Sequence, residues 1–80
     1  MESVKFDYRR LRGKIREVFE TEAAFAEAMG LSRTSMSQRL NNAIEFSAKE
    51  ILLACKLLGI PSEEIPYYFF ATEVQKHELY

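Results

Sequence analysis

The segment that most restricts the fold is residues 21–41, which predict two short helices joined by a tight turn. Thr21 and Ser32 each precede helix-forming residues, and a hydroxyl at such a position accepts a hydrogen bond from a free amide of the first helical turn. Between the two helical stretches stands Gly30, where the chain can enter the left-handed conformation without strain. This order of cap, helix, glycine, cap and helix predicts a helix-turn-helix unit.

The second helix of this unit predicts a polar outer face. Met36 and Leu40 lie four residues apart and therefore share the inner face. The outer residues are Arg33, Thr34, Ser37, Gln38 and Asn41. All of them donate hydrogen bonds and none is a carboxylate, which suits the acceptor-rich major groove of DNA. The alternative is a short polar surface helix in an all-helical domain.

Several stretches of the chain resemble the phage repressor and Cro-type family, which has the lambda-repressor-like fold. The resemblance is carried by Phe25-Ala26, Met29-Gly30-Leu31, Met36 and Leu40. The motif F-D-Y-x-x-L-R-G-x-I at residues 6–15 and Y-F-F at residues 68–70 are similar to a subgroup of small, single-domain phage proteins. The resemblance extends from Phe6 to about Val74. It implies an all-α, five-helix domain spanning residues 1–80, with a short terminal β-strand pair as an open addition.

The resemblance also implies roles for individual residues at DNA. Base edges would be read by Arg33, Thr34, Ser37 and Gln38. Phosphates would be positioned by Thr21, Ser32, Arg39, Asn41, Asn42, Arg12 and Arg16. For the arginines of the first helix, a solvated cationic face paired with nearby glutamates is an equal alternative. One departure is Glu22, where relatives commonly carry a glutamine that contacts a phosphate, so that contact is not transferred to this chain.

The remaining helices are predicted from their ends. Asp7 is a candidate cap for a first helix that reaches residue 19, and Gly13 inside it suggests close approach of another helix. Asn41-Asn42 is a stop signal. Ser47 and Glu50 form a capping-box pattern that opens the next helix, and Gly59 ends it. A last short helix opens at Pro61-Ser62, with Pro66 in its first turn.

Four consecutive aromatic residues follow Pro66, and they cannot all face one core. We therefore predict a homodimer interface formed by Tyr67, Tyr68, Phe69, Phe70 and Val74, because two half-sites on DNA call for a two-fold dimer. Residues 71–80 are open between a short extra helix and an edge strand beside residues 4–7. His77 is expected to be exposed and inert.

Composition excludes several classes of function. One histidine and one cysteine cannot assemble a catalytic, metal or cofactor site, so we expect no enzyme, no metal, no cofactor and no small-molecule ligand. Cys55 lies among apolar residues and is expected to be a buried free thiol. With neither a signal peptide nor a membrane span, the chain is expected to be cytoplasmic.

The charge is segregated along the chain although the net charge is only −1. Residues 1–16 hold six cations and two carboxylates, whereas residues 17–32 hold four glutamates and no cation. A local field matters more to a polyanion than the total charge does. We therefore predict a sequence-specific regulator of transcription that binds double-stranded DNA, Cro- or repressor-like, from a phage or prophage. The alternative is a helical protein-interaction module that has lost DNA binding, which Glu22 and the pI of about 5.8 favour.

Overall fold

The computed structural model describes residues 4–72, so the predictions for Val74 and His77 lie outside the described residues. Within that range the chain forms five α-helices, and the predicted all-α fold is confirmed. They are α1 (Arg9–Phe19), α2 (Glu22–Ala28), α3 (Arg33–Leu40), α4 (Ala48–Leu58) and α5 (Ile65–Phe69), the last preceded by a 3-10 turn at Ser62–Glu64. No helix in residues 4–72 is both long enough and apolar enough to cross a membrane.

Three helices, α2, α3 and α4, begin where the hydroxyl caps predicted. Thr21 accepts a hydrogen bond from the amide of Ala24, and Ser32 accepts one from the amide of Ser35, both at 3.0 Å. Ser47 and Glu50 form the complete capping box of α4. These local bonds satisfy amides that have no partner within their own helix.

The first helix begins one residue later than a cap at Asp7 would give. Tyr8 occupies the position before α1 and makes no side-chain cap, but the Asp7 carboxylate accepts the amide of Arg9 at 3.0 Å. The Arg9 guanidinium also binds this carboxylate, at 2.8 Å. These charge-assisted hydrogen bonds, first from the side chain and then from the backbone of Arg9, lower the pKa of Asp7 to about 2.

The helix ends use left-handed residues, as the sequence predicted at three of four positions. Gly30 has φ 74° and Gly59 has φ 71°, while Asn42 has φ 66° after α3. Glu20 ends α1 with a positive φ of 73° although it carries a β-carbon, but its ψ of −39° differs from that of the left-handed helical Gly59, and nothing in the sequence predicted it. The prediction for Gly13 was wrong, because a β-carbon there would meet nothing within 4 Å.

The core is a single cluster at the centre of the helices. Its largest fully buried side chains are Phe25, Phe69, Leu11, Ile15 and Met36. Ala26, only 1% exposed, lies in the helix-turn-helix unit as a small residue should where α2 and α3 approach each other. The burial of Phe69 is a correction to its predicted place in a dimer interface, since its ring contacts Phe46 edge-on inside the core.

The two ends of the described chain meet at one point. Phe6 and Thr72 form an isolated antiparallel bridge, and the amide of Asp7 donates to the carbonyl of Ala71 at 2.6 Å. The predicted strand pair is thus a single bridge within residues 4–72. Its position matters for the site, because Phe6 also contacts the loop that follows α3.

Candidate functional site

The outer face of α3 carries the four residues predicted to read DNA bases. Arg33, Thr34, Ser37 and Gln38 are all exposed. On the opposite side of the helix, Met36 is 2% exposed and Leu40 is 3% exposed. The helical period therefore places the polar and the apolar side chains on opposite sides of α3, as the sequence predicted. We call the four exposed residues the α3 face, and they form a continuous polar surface.

A groove of about 650 Å³ adjoins the α3 face. It is open to solvent and lies where the end of α1 and the start of α2 approach α3. Its charged lining is mixed, with the cations Arg16 and Arg33 and the carboxylates Glu20 and Glu22. The remaining lining residues are Thr21, Ala23, Met36 and Ser37. Such a surface combines apolar contact area with charges of both signs, which resembles a protein-contact surface more than a phosphate track.

Arg12 connects three helices from the side of this groove. Its guanidinium binds the carboxylate of Glu22 in α2 at 2.7 Å. The same guanidinium donates to the carbonyl of Leu40, at 3.3 Å, and to the side chain of Asn41, at 3.1 Å. The negative charge of Glu22, which departs from the resemblance, therefore has a partner inside the protein. The predicted phosphate contact of Arg12 would require its guanidinium to leave these bonds.

Arg39 is held in a similar way between α3 and α4. Its guanidinium donates to both carboxylate oxygens of Glu50, at 2.9 Å and 3.1 Å, and to the carbonyl of Ser35 at 2.9 Å. These hydrogen bonds lower the pKa of Glu50, with the Arg39 side chain as the largest cause and burial acting in the opposite direction. Phosphate contact by Arg39 stays a prediction, but in this structure its N–H donors bind Glu50 and Ser35 within the protein.

The side chains of the other predicted phosphate-positioning residues have different roles in the structure. Thr21 and Ser32 use their hydroxyls as helix caps, and Asn42 binds the backbone of Phe6 through both side-chain atoms. Asn41 is exposed and donates to the hydroxyl of Ser37 at 3.1 Å. Arg16 is exposed beside the groove and forms no ion pair within residues 4–72. Among the predicted arginines, Arg16 and Arg33 are therefore the ones whose positive charges line the groove.

The predicted dimer residues differ in their exposure. Phe69 belongs to the core, and Tyr68 is half-buried against it. Tyr67 and Phe70 are exposed at 52% and 49% of their surface. The guanidinium of Arg10 lies 4.2 Å from the centre of the Tyr67 ring, a cation–π distance. A dimer surface here would consist of Tyr67 and Phe70 alone among the described residues of that prediction.

The sequence did not predict the two ion pairs between helices, Arg12–Glu22 and Arg39–Glu50. Nor did it predict the contact of Asn42 with Phe6. Arg12 and Glu22 are ten residues apart, and Arg39 and Glu50 are eleven apart, so neither pair has the spacing of neighbours on one helix. Cys55 is buried as expected, and burial raises the pKa of its thiol. Within residues 4–72 no cluster of histidine, cysteine and carboxylate side chains could hold a metal ion.

The fold and this surface define an all-α domain built around a helix-turn-helix unit. The sequence profile of the family described as "Protein of unknown function (DUF739)" matches residues 4–72, and the chain belongs to this family. No curated protein sequence matches it.

Among solved structures, the chain is similar to the modulator of repression (MOR) of the temperate bacteriophage TP901-1 from Lactococcus lactis. The two chains are 41% identical, with a TM-score of 0.75 over 88% of this chain and 95% of the other. The similarity is thus to a phage regulatory protein, as the sequence resemblance implied. The narrower likeness to a Cro or lambda-type repressor is not what this comparison shows.

Proposed function

We propose that this chain is a phage regulatory protein that modulates transcriptional repression by contacting a protein partner through the α3 face and the adjoining groove. The similarity to a modulator of repression supports the regulatory role. The observation that carries the choice of partner is the mixed charge of the groove, where Arg16 and Arg33 stand beside Glu20 and Glu22. A phosphate backbone would meet both carboxylates, whereas a protein partner can present complementary charges of both signs.

The internal partners of two arginines support the same proposal. Binding to DNA draws most of its affinity from cations that neutralise phosphates. Arg12 and Arg39 are already paired with Glu22 and Glu50, at 2.7 Å and 2.9 Å. Releasing either arginine to a phosphate would leave a partly buried carboxylate without its partner, which is costly. A repressor protein is the partner that fits a modulator of repression, because contact with it would change repression without any phosphate contact.

Sequence-specific binding to double-stranded DNA is the second candidate. It is favoured by the composition of the α3 face, where Arg33, Thr34, Ser37 and Gln38 all carry side-chain groups able to donate hydrogen bonds and none carries a negative charge. Arginine and glutamine are suited to guanine and adenine edges in the major groove. In this candidate Arg16 and Arg33 would supply the charge, and a two-fold dimer would supply the second half-site.

A titration that follows the amide signals of the isotopically labelled protein separates the two candidates. One arm adds duplex DNA at low and moderate salt, both of random sequence and of a sequence obtained by binding-site selection, and the other adds the repressor encoded in the same phage or prophage genome. We expect saturable shifts of α3 and groove residues with the repressor, and weak, salt-sensitive shifts with DNA. Tight binding to a selected duplex with no response to the repressor would overturn the protein-partner proposal in favour of the second candidate.

Variants of the α3 face sharpen this test. Arg33→Ala and Gln38→Ala should each weaken the bound complex by about 1 to 3 kcal/mol if they are central contacts, whichever partner is correct. Lys56→Ala, an exposed cation on α4, is the matched control and should change neither complex. Unaltered affinity of both α3 variants would show that the contact surface lies elsewhere.

A further inference from the structure

Asn42 joins the end of α3 to the amino-terminal segment through its side chain. Its carbonyl oxygen accepts the amide of Phe6 at 2.8 Å, and its amide nitrogen donates to the carbonyl of Phe6 at 3.0 Å. The two residues are 36 positions apart in the chain. Asn42 holds this geometry from a left-handed backbone conformation, φ 66°, which only a few residue types tolerate. Both polar groups of one side chain are therefore committed to one backbone unit.

Phe6 is in turn held by the other end of the described chain. It forms the antiparallel bridge with Thr72, and the next amide, that of Asp7, donates to Ala71. Its ring also meets the ring of Phe70 edge-on, with the centres 5.8 Å apart. Phe6 thus receives contacts from residues 70–72 on one side and from Asn42 on the other.

The residues that follow α3 connect Asn42 to the α3 face. The amides of Ala43 and Ile44 both donate to the carbonyl of Gln38, at 2.8 Å and 3.2 Å. The amide of Asn42 donates to the carbonyl of Arg39 at 3.1 Å. A displacement of Asn42 would therefore strain these hydrogen bonds. Gln38 is itself one of the four exposed residues of the α3 face.

We propose that Asn42 is a positioning residue that couples the α3 face to the contact between Phe6 and residues 70–72. When residues 70–72 hold Phe6, Asn42 is fixed and the last turn of α3 is closed. When that contact separates, Phe6 no longer anchors Asn42 and the turn around Gln38 opens more often. The contact between Phe6 and residues 70–72 is then a place from which the α3 face can be regulated. Only the last step rests on the proposed function, because the coupling itself is a property of this chain alone.

Amide hydrogen exchange of the full-length protein tests the coupling without any partner. Asn42→Gly removes both side-chain bonds and keeps a residue that adopts φ 66° without strain, so the backbone is not itself disturbed. We expect the amides of Ala43 and Ile44 to exchange about thirtyfold faster, the effect of losing two ordinary hydrogen bonds. Amides within α2 and the middle of α4 serve as the internal reference and should keep their exchange rates.

A change at the far end should produce the same local effect. Phe70→Ala removes the ring that contacts Phe6, and within residues 4–72 Phe70 makes no hydrogen bond or ring contact with Asn42 or α3. We expect faster exchange at Ala43 and Ile44 in this variant too. Tyr67→Ala is the matched control, because its ring contacts Arg10 and Tyr68 instead. The double variant of Asn42 and Phe70 should exchange no faster than Asn42→Gly alone, since both act on the same connection.

Two results would overturn the coupling. One is fast exchange at Ala43 and Ile44 in Asn42→Gly with no effect of Phe70→Ala, which would make Asn42 a local brace only. The other is equal acceleration of all amides in both variants, which would report a loss of global stability instead of a local opening. Neither result depends on whether the partner is a repressor or DNA, so failure of the coupling and failure of the proposed function remain distinguishable.

Discussion

The guanidinium of Arg39 in α3 and the carboxylate of Glu50 in α4 face each other through two hydrogen bonds, at 2.9 Å and 3.1 Å. Glu50 also accepts the amide of Ser47 at 3.0 Å, so one carboxylate both caps α4 and binds α3. Both side chains are largely shielded, with 14% of Arg39 and 22% of Glu50 exposed. This pair joins the helix that carries the α3 face to α4.

Removing Arg39 should therefore destabilise the fold. We expect Arg39→Ala to lower the free energy of unfolding by about 1 to 3 kcal/mol, because a shielded carboxylate loses charge-assisted hydrogen bonds. Urea denaturation followed by circular dichroism measures the change. Lys49→Ala, an exposed cation beside Glu50 in sequence, is the matched control and should be nearly neutral. Equal effects of the two variants would show that the Arg39–Glu50 pair adds no net stability.

The stability of the protein should depend on Asp7 in acid. Its pKa is lowered from 3.8 to about 2 by the Arg9 side chain and amide. A lowered pKa in the folded state means that the contribution is present above pH 3.8 and is lost as the pH falls towards about 2.

Asp7→Asn should remove this component, so the stability of the variant should fall less steeply than that of the parent over that pH interval. Urea midpoints measured at successive pH values test this, with Glu50 titrating in both proteins and therefore cancelling from the comparison. Parallel curves for the two proteins would exclude Asp7 as a source of acid sensitivity.

The two glycines at Gly13 and Gly30 should respond in opposite directions. Gly13 lies inside α1 with open space around it, so Gly13→Ala should stabilise the protein by about 0.5 to 1 kcal/mol through helix propensity. Gly30 has φ 74°, and Gly30→Val should cost more than about 1 kcal/mol because a branched side chain is strained there. Thermal unfolding of both variants gives the comparison. A stable Gly30→Val protein would contradict the turn geometry.

Adjacent aromatic residues of α5 and its end should also behave differently. Phe69→Asp places a charge in the core, at a position 1% exposed, and should unfold the protein. Phe70→Asp changes a half-exposed ring and should leave a folded protein. The predicted homodimer is tested with the same variant by sedimentation. If the parent self-associates through this surface, Phe70→Asp should be monomeric, whereas equal association of both would place the dimer contact elsewhere.

The comparison of sequence with structure is clearest at the helix ends. Thr21, Ser32 and Ser47 cap the helices that the sequence assigned to them, and Gly30 and Gly59 take up the left-handed conformation. Each of these features depends on hydrogen bonds or steric limits within a few residues, so the information is local. Glu20 is the exception, because nothing in its own chemistry favours φ 73°.

The composition of the α3 face was likewise set by the sequence alone. The helical period places Met36 and Leu40 on one side and Arg33, Ser37 and Gln38 on the other, whatever the helix packs against. The groove beside this face was not predictable in the same way. Its acidic and basic walls come from α1, α2 and α3, and only the crossing of these helices brings the charges of Arg16 and Glu20 next to Arg33.

The sequence by itself thus determined the caps at Thr21, Ser32 and Ser47, the turns at Gly30 and Gly59 and the polar face of α3, because these follow from local bonding and the helical period. The tertiary structure alone decided the partners of Arg12, Arg39 and Asn42. Their bonds join residues 10, 11 and 36 positions apart respectively, and it is the packing of the helices that brings these residues together. The identity of a charged or amide side chain does not reveal its partner, because the same donors can bind a phosphate, a carboxylate or a backbone carbonyl.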